Sequence, residues 1–305
     1  MNMERTEELA MFRTALEIAD LHPAAVRLPD DHQVIIGAMR FHYLDWGGSG
    51  TPILFLHGGG INAHTWDCVA VMLGERHRCI ALDQRGHGDS EWSPLVDYRI
   101  AAHVGDIEGF IETTGLQRPI VVGQSMGGLN SIAYATRHGD QISAMVIVDV
   151  APEISASGAE RIREFSSIPE LDSPQAFLER AVRFNPIRDP AVLRRSLHYN
   201  LRQTPAGKWT FKHDQRRRSD DAMRSFAEDR ARLVSDLSRI RCPTLVVRGA
   251  LSDVLTDAAA EKFARSLPDG RWVRVEKSGH NVQGDNPRAL LDAMLAFFRE
   301  ARISG

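Results

Sequence analysis

One short stretch constrains this 305-residue chain more than any other. The apolar run Pro119-Ile120-Val121-Val122 leads into Gly123-Gln124-Ser125-Met126-Gly127-Gly128, and then into Leu129-Asn130-Ser131-Ile132-Ala133-Tyr134-Ala135, which reads as a helix. Strand, sharp turn and helix follow one another directly, with a serine at the apex. The turn is tight, so a side chain at Gly123 or Gly127 is expected to collide with the neighbouring strand or helix. The helix begins with its free amides aimed at the apex, so negative charge developing near Ser125 is favoured there.

The same rhythm runs through most of the chain. Pro52 to Leu56, His77 to Leu82, Pro119 to Val122, Ala144 to Val148, Thr244 to Val247 and Arg271 to Val275 read as strands. Between most of them lie helical stretches: Ala63 to Leu73, Ile100 to Thr114, Gly128 to Arg137, Ala258 to Ser266 and Pro287 to Arg299. Such alternation calls for an α/β fold with a doubly wound, mostly parallel sheet. His32 to Ile36 and Arg40 to Trp46, joined by Gly37-Ala38-Met39, suggest an antiparallel hairpin at its edge.

The stretch from Ala151 to Arg241 departs from that rhythm. It carries no convincing strand, many arginines and short helical pieces broken by prolines, so it reads as a helical insertion. The expected organisation is an N-terminal helical extension over 1–30, a core over 31–150 and 242–305, and a helical cap over 151–241. Within the extension, Leu9, Phe12, Ala15, Leu16 and Ala19 fall at helical spacing, as in an amphipathic helix resting on the main domain.

Composition excludes several function classes. A formal charge of −3 gives no case for nucleic acid or an anionic membrane surface. No run of about 18 apolar residues occurs, and the N-terminus lacks a basic segment, so neither a membrane span nor a secretory signal is expected. Cys68, Cys79 and Cys242 are odd in number and form no C-x-x-C pair, which fits a reducing, cytoplasmic setting rather than a disulfide framework or zinc site. With no metal-ligand cluster and no dinucleotide fingerprint, no cofactor or metal is expected. The expected partner is a small-molecule substrate; oligomeric state is left open.

Four features fall on loops that follow sheet strands, the edge at which open parallel sheets bind ligands. Ser125 needs a neighbouring base, because a serine hydroxyl is a poor nucleophile at neutral pH. His280 follows the last strand, in Lys277-Ser278-Gly279-His280-Asn281. Asp253 follows the Thr244 to Val247 strand, with Asp149, at the end of Val146-Ile147-Val148, as the other candidate acid. His57-Gly58-Gly59-Gly60 offers a backbone amide to an oxyanion, alongside that of Met126.

Together with Asp83-Gln84-Arg85-Gly86-His87-Gly88-Asp89-Ser90, these motifs resemble the α/β-hydrolase superfamily over almost the whole chain, and in particular its capped serine esterase and carbon–carbon hydrolase branch. The resemblance implies Ser125 as nucleophile, His280 as base and Asp253 as acid, with Gly59 (or Gly60) and Met126 as oxyanion donors. It implies hydrolysis of a small-molecule carboxylic ester through an acyl-enzyme. Carbon–carbon cleavage, acyl transfer and ligand sensing on the same fold are the alternatives. Serine at the elbow argues against the epoxide and carbon–halogen chemistry of relatives with aspartate there. Asn281-Val282-Gln283 lacks the aromatic that carbon–carbon hydrolases often place beside the histidine. His57 and His87 are expected to brace loops. Gly60, Gln124 and Trp209 are candidate substrate contacts, and the arginine-rich insertion offers a cation for a substrate carboxylate.

Overall fold

Strands that are apolar at every position need cover on both faces, and the central sheet is built on that requirement. A computed structural model of the chain describes residues 5–153, 167, 170–218 and 220–303. The sheet strands are β1 (Asp30–Ile36), β2 (Met39–Asp45), β3 (Ile53–Leu56), β4 (Cys79–Leu82), β5 (Ile120–Gln124), β6 (Ala144–Val148), β9 (Thr244–Gly249) and β10 (Gly270–Val275). They form one eight-stranded sheet in the order β1-β2-β4-β3-β5-β6-β9-β10. β1 and β2 form the expected antiparallel hairpin, β2 also runs antiparallel to β4, and all further pairings are parallel.

Side-chain alternation along each strand divides the core in two. Leu54 and Leu56 of β3 point to one face, where α3 (Ile100–Thr114) and α4 (Met126–His138) supply Val104, Phe110, Leu129 and Ile132. Ile53 and Phe55 point to the other. There α1 (Arg5–Ile18), α2 (Asp67–Leu73) and α10 (Pro287–Glu300) supply Phe12, Val69, Leu290 and Met294. The stretch Ala63 to Leu73, expected as one helix, divides into a 3-10 turn at Ala63–Trp66 and α2. The helix α8 (Asp257–Arg265) is capped by Thr256, whose side chain accepts the Ala259 N–H; Asp257 occupies the first turn.

Of the expected insertion, residues 154–166, 168, 169 and 219 lie outside the described residues. The described part holds α5 (Pro174–Phe184), α6 (Pro190–Asn200) and α7 (Asp220–Asp236). It also holds strands that the sequence reading did not anticipate. β7 (Leu201–Gln203) and β8 (Trp209–Phe211) pair antiparallel in a hairpin of their own. Strands of three residues carry too little alternation to be distinguished from loop. Pro174 and Pro190, read as breakers, occupy the first helical turns behind the caps Ser173 and Asp189. That position suits proline, whose missing N–H has no intrahelical partner there anyway. Phe177, Leu178, Ala181, Leu193, Leu197 and Phe211 give the cap a small core.

The cap is tied to both the sheet and the N-terminal helix. Asn62 Nδ2 donates to Tyr199 O at 2.8 Å, and Tyr98 Oη donates to Asp214 Oδ2 at 2.5 Å. Phe12 of α1 is fully buried, a burial worth roughly 1.5–3 kcal/mol. The Arg195 guanidinium of α6 lies 4.7 Å from its ring centroid, and Tyr199 Oη donates to Glu8 Oε1 at 2.6 Å. Arg195 is itself buried against Asp67. Among the described residues no helix is long and apolar enough to cross a membrane.

One buried ion pair pins the loop after β4. Asp83 Oδ1 accepts the Ala63 N–H at 2.7 Å, while Oδ2 accepts the Asp89 N–H at 2.9 Å and His42 Nδ1–H at 2.8 Å. Burial alone would lower the His42 pKa, but its hydrogen bonds to Asp31 and Asp83 push it up to about 10. Burial opposes the Asp83 charge too, yet the His42 contact holds that carboxyl down at about 2. His42, Asp83 and Asp89 offer ligand atoms within 4.8 Å of one another, but these hydrogen bonds already engage both Asp83 oxygens.

An unfolded histidine titrates near 6.5. Stabilisation from charged His42 is therefore complete below that pH and is lost as pH rises towards 10. Asp83's share is lost only as pH falls below the ordinary carboxylate range towards about 2. Urea midpoints measured from pH 7 to 10 should fall in the parent protein. In His42→Gln the midpoint should be lower at pH 7 and the alkaline slope flatter.

Candidate active site

Ser125 joins β5 to α4 with φ 51° and ψ −117°, a conformation that costs a residue with a side chain about 1–3 kcal/mol. The surroundings impose it. Ser125 N–H donates to Val148 O at 3.1 Å, and Ser125 O accepts the Leu129 N–H at 3.0 Å. A Cβ at Gly123 would stand 2.4 Å from Gly127 O, and one at Gly127 would stand 2.3 Å from Leu56 O. These are the collisions anticipated from the sequence. Met126 is the first residue of α4, so its amide belongs to the positive end of that helix.

His280 stands on the loop between β10 and the short helix α9 (Val282–Asp285). Its Nδ1–H donates to Asp149 Oδ2 at 2.8 Å, so Nε2 is the ring nitrogen not engaged by that carboxylate. The expected partner Asp253 is therefore replaced by Asp149. Asp149 follows β6 directly, at φ 53°, and has no solvent exposure. Its Oδ1 accepts the Gly249 N–H at 2.9 Å and its Oδ2 accepts the Ser252 hydroxyl at 2.5 Å. Asp253 comes one residue after Ser252 but is exposed, on the wall of the cavity described next. The loop is turned outward there by Arg248, whose guanidinium donates to Leu255 O, Ala250 O and Ser252 O. Ser252, which braces Asp149, was not singled out from sequence, and nothing in its local pattern marks it.

Ser125, His280, Gly59, Gly60 and Gln124 line one cavity of about 340 Å3. The volume suits a small organic ligand. Its opposite wall is largely apolar and comes from the cap: Ala181, Phe184, Ile187, Leu193, Leu197 and Phe211. Trp209, expected as a substrate contact, packs on the cap's own core and is not among the lining residues; Phe211, two positions on, is. Gln124 is buried and bridges two loops. Its Nε2 donates to His280 O at 3.1 Å, and a Cβ on Gly58 would come within 2.0 Å of its Oε1.

The two other histidines near the turn brace it, as expected. His57 Nε2 accepts the Gln84 N–H at 3.0 Å, so Nδ1 carries the proton donated to Gly58 O at 2.8 Å. Gln84 is held in turn by Asn130 Nδ2 at 2.7 Å. His87 Nδ1–H donates to Arg85 O at 2.9 Å. Burial, reinforced by the Arg217 charge, pushes the His87 pKa well below its ordinary value. Arg216 is half exposed and pairs with Asp214 at 2.7 Å, whereas the Arg217 guanidinium rests 3.3 Å from where a Gly59 Cβ would be. Arg188 is the arginine among the described cavity-lining residues, and it is already paired with Asp285 at 2.6 Å.

Known proteins resemble this chain in sequence and in fold. The sequence profile of the α/β hydrolase fold family matches residues 51–287. The esterase Rv0045c of Mycobacterium tuberculosis is 36% identical over 273 residues, covering 87% of this chain and 88% of that one. A 2-(acetamidomethylene)succinate hydrolase of Mesorhizobium japonicum is 30% identical over 256 residues, covering 82% of this chain and 88% of that one. The crystal structure of the Mycobacterium tuberculosis esterase Rv0045c superimposes with a TM-score of 0.77 at 33% identity, over 98% of this chain and all of that one (100%). A crystal structure of E-2-(acetamidomethylene)succinate hydrolase gives 0.79 at 27% identity, over 89% and 99%. By fold and by sequence, the chain belongs to the α/β-hydrolase family.

Proposed function

We propose that this protein is a serine esterase that cleaves a small, neutral carboxylic ester through an acyl-enzyme, with Ser125, His280 and Asp149 as its catalytic residues. The observation that carries the reading is the Asp149–His280 hydrogen bond on the cavity that also holds the strained Ser125. In this reading the Ser125 hydroxyl attacks the carbonyl carbon as His280 Nε2 takes its proton. Asp149 holds the ring in the Nδ1–H tautomer and stabilises the imidazolium that forms. The oxyanion is received by the amides of Gly59 and Met126. The intermediate then expels the alcohol, which leaves with the proton from His280. Water, deprotonated by the same Nε2, attacks the acyl-enzyme, and the carboxylic acid departs as Ser125 regains its proton.

The substrate class follows from the lining. The cap wall is largely hydrocarbon, and the Arg188 charge within it is neutralised by Asp285. A carboxylate placed there would be desolvated, and among the described lining residues no arginine or lysine is left without a carboxylate partner to meet it. Ile187 and Leu251 line the cavity and are also 51% and 60% exposed, so an apolar acyl group meets hydrocarbon on entry. Arg217 against Gly59 supports a second reading, in which an anionic substrate is held beside the oxyanion loop. Neutral butyrate and monoanionic succinate esters of one phenol discriminate the two. A kcat/KM at least about tenfold higher for the butyrate is expected from the desolvation argument. Equal or reversed preference transfers the assignment to Arg217.

Two variants test the chemistry. Ser125→Ala should abolish both p-nitrophenyl ester turnover and covalent labelling by a fluorophosphonate; labelling that persists overturns Ser125 as nucleophile. Asp149→Asn should lower kcat by about 10³–10⁴-fold, while Asp253→Asn stays within about threefold of the parent. A pre-steady-state burst of phenolate reports the acyl-enzyme itself. An intact protein that gives no burst on any ester supports ligand sensing instead.

A further inference from the structure

His280 sits between two residues whose backbone is gripped by a single buried ion pair. Asp285 Oδ2 accepts the N–H of Gly279 at 2.9 Å, immediately before the histidine. An Arg188 terminal nitrogen donates to the carbonyl of Asn281 at 3.3 Å, immediately after it. The two side chains close on each other, with Arg188 Nε and its terminal nitrogen 2.8 and 2.6 Å from Asp285 Oδ1. Asn185 Nδ2 donates to the same oxygen at 2.8 Å. Asp285 belongs to α9 in the core, whereas Asn185 and Arg188 belong to the cap segment between α5 and α6. The fit is close, since a Cβ at Gly284 would stand 2.9 Å from the Arg188 guanidinium carbon.

We propose that Arg188 and Asp285 are positioning residues for His280, a latch through which the cap sets the placement of the base. The proposal rests on the reading of His280 as that base. A buried ion pair seldom adds stability beyond what two well-packed apolar side chains would give. At 8% and 1% exposure this pair is fully inside that regime, so its value has to be sought in what it orients. What it orients is the peptide on each side of the histidine. Both residues also line the cavity, as does their neighbour Ile187. The wall that receives the acyl group and the mount of the base are therefore one construction, and the cap belongs to the catalytic geometry as well as to the pocket.

The test uses the full chain and p-nitrophenyl acetate, whose two-carbon acyl group makes least use of the cap wall. Either single substitution, Arg188→Met or Asp285→Leu, strands a buried charge and endangers folding. The decisive protein is the double variant Arg188→Met/Asp285→Leu, which removes both charges together. Its melting temperature should stay close to the parent's while kcat falls about ten- to a hundredfold and KM moves less than about threefold. The rate of fluorophosphonate labelling should fall in parallel, because that reaction also needs the base in place. Arg188→Lys, which keeps the charge but loses the fork, should lie between the two in kcat. A double variant that folds and keeps its kcat within about twofold, or loses only KM, overturns the latch. Should the double variant not fold, Arg188→Lys decides: full parental kcat overturns the proposal, and a lowered kcat with an unchanged melt supports it. An unmodified protein without Ser125-dependent labelling overturns the esterase reading first. A labelled and active one with an unaffected double variant overturns the latch alone.

Discussion

A carboxylate with no solvent contact has to be met by donors from the protein, and Asp149 sets that requirement for the whole upper edge of the sheet. Three donors meet it: the Gly249 amide, the Ser252 hydroxyl and the His280 ring. They come from the last residue of β9, the connection after it and the connection after β10, so burying this one group draws the ends of β6, β9 and β10 together. The loop after β5 joins them through Ser125 N–H on Val148 O, one residue before Asp149. The site is thus the place where local needs for hydrogen bonding from four neighbouring strands coincide. Any unrelated chemistry on this sheet would still have to satisfy the same carboxylate.

Much of this was legible before any coordinates, for physical reasons that differ by residue. Ser125 is marked by its own neighbours, since only small residues survive at Gly123 and Gly127 when backbone approaches within van der Waals distance. His280 is marked by position, after the last strand and before a proline-led helix. The carboxylate that bonds His280 is different. Asp149 and Asp253 follow adjacent strands, β6 and β9, and open on the same sheet edge. Their difference lies in the path of the Gly249 to Leu255 loop, which Arg248 fixes by donating to three carbonyls. No one-dimensional pattern encodes that path. Side-chain direction likewise escaped the sequence at Trp209, and the β7–β8 hairpin was too short to be read by periodicity. Prolines misled for a related reason, because a residue that stops one helix is also suited to begin the next.

The cap's arginines show how far composition can be trusted. Counted together they suggest a cationic lid. Four of them resolve into different settings: Arg188 held by Asp285, Arg195 held by Asp67, Arg216 held by Asp214, and Arg217 laid along Gly59. The charge is real, but at Arg188, Arg195 and Arg216 it is spoken for by carboxylates of the same chain. What faces the cavity is mainly hydrocarbon, and that carries the argument for a neutral acyl group.

The contact of α1 with the cap bears on how such a chain reaches its folded state. Glu8 and Tyr199 are separated by 191 positions, yet their side chains are bonded. A ribosome therefore releases the first helix long before it makes the residues against which that helix is finally seated. Until Arg195 and Tyr199 emerge, the apolar face around Phe12 lacks the cap's share of its cover. Closure between the two ends of so long a loop is entropically slow. A helix made before the cap is in this sense among the last elements to be completed, and the cap cannot acquire its full support until α1 has folded back to meet it.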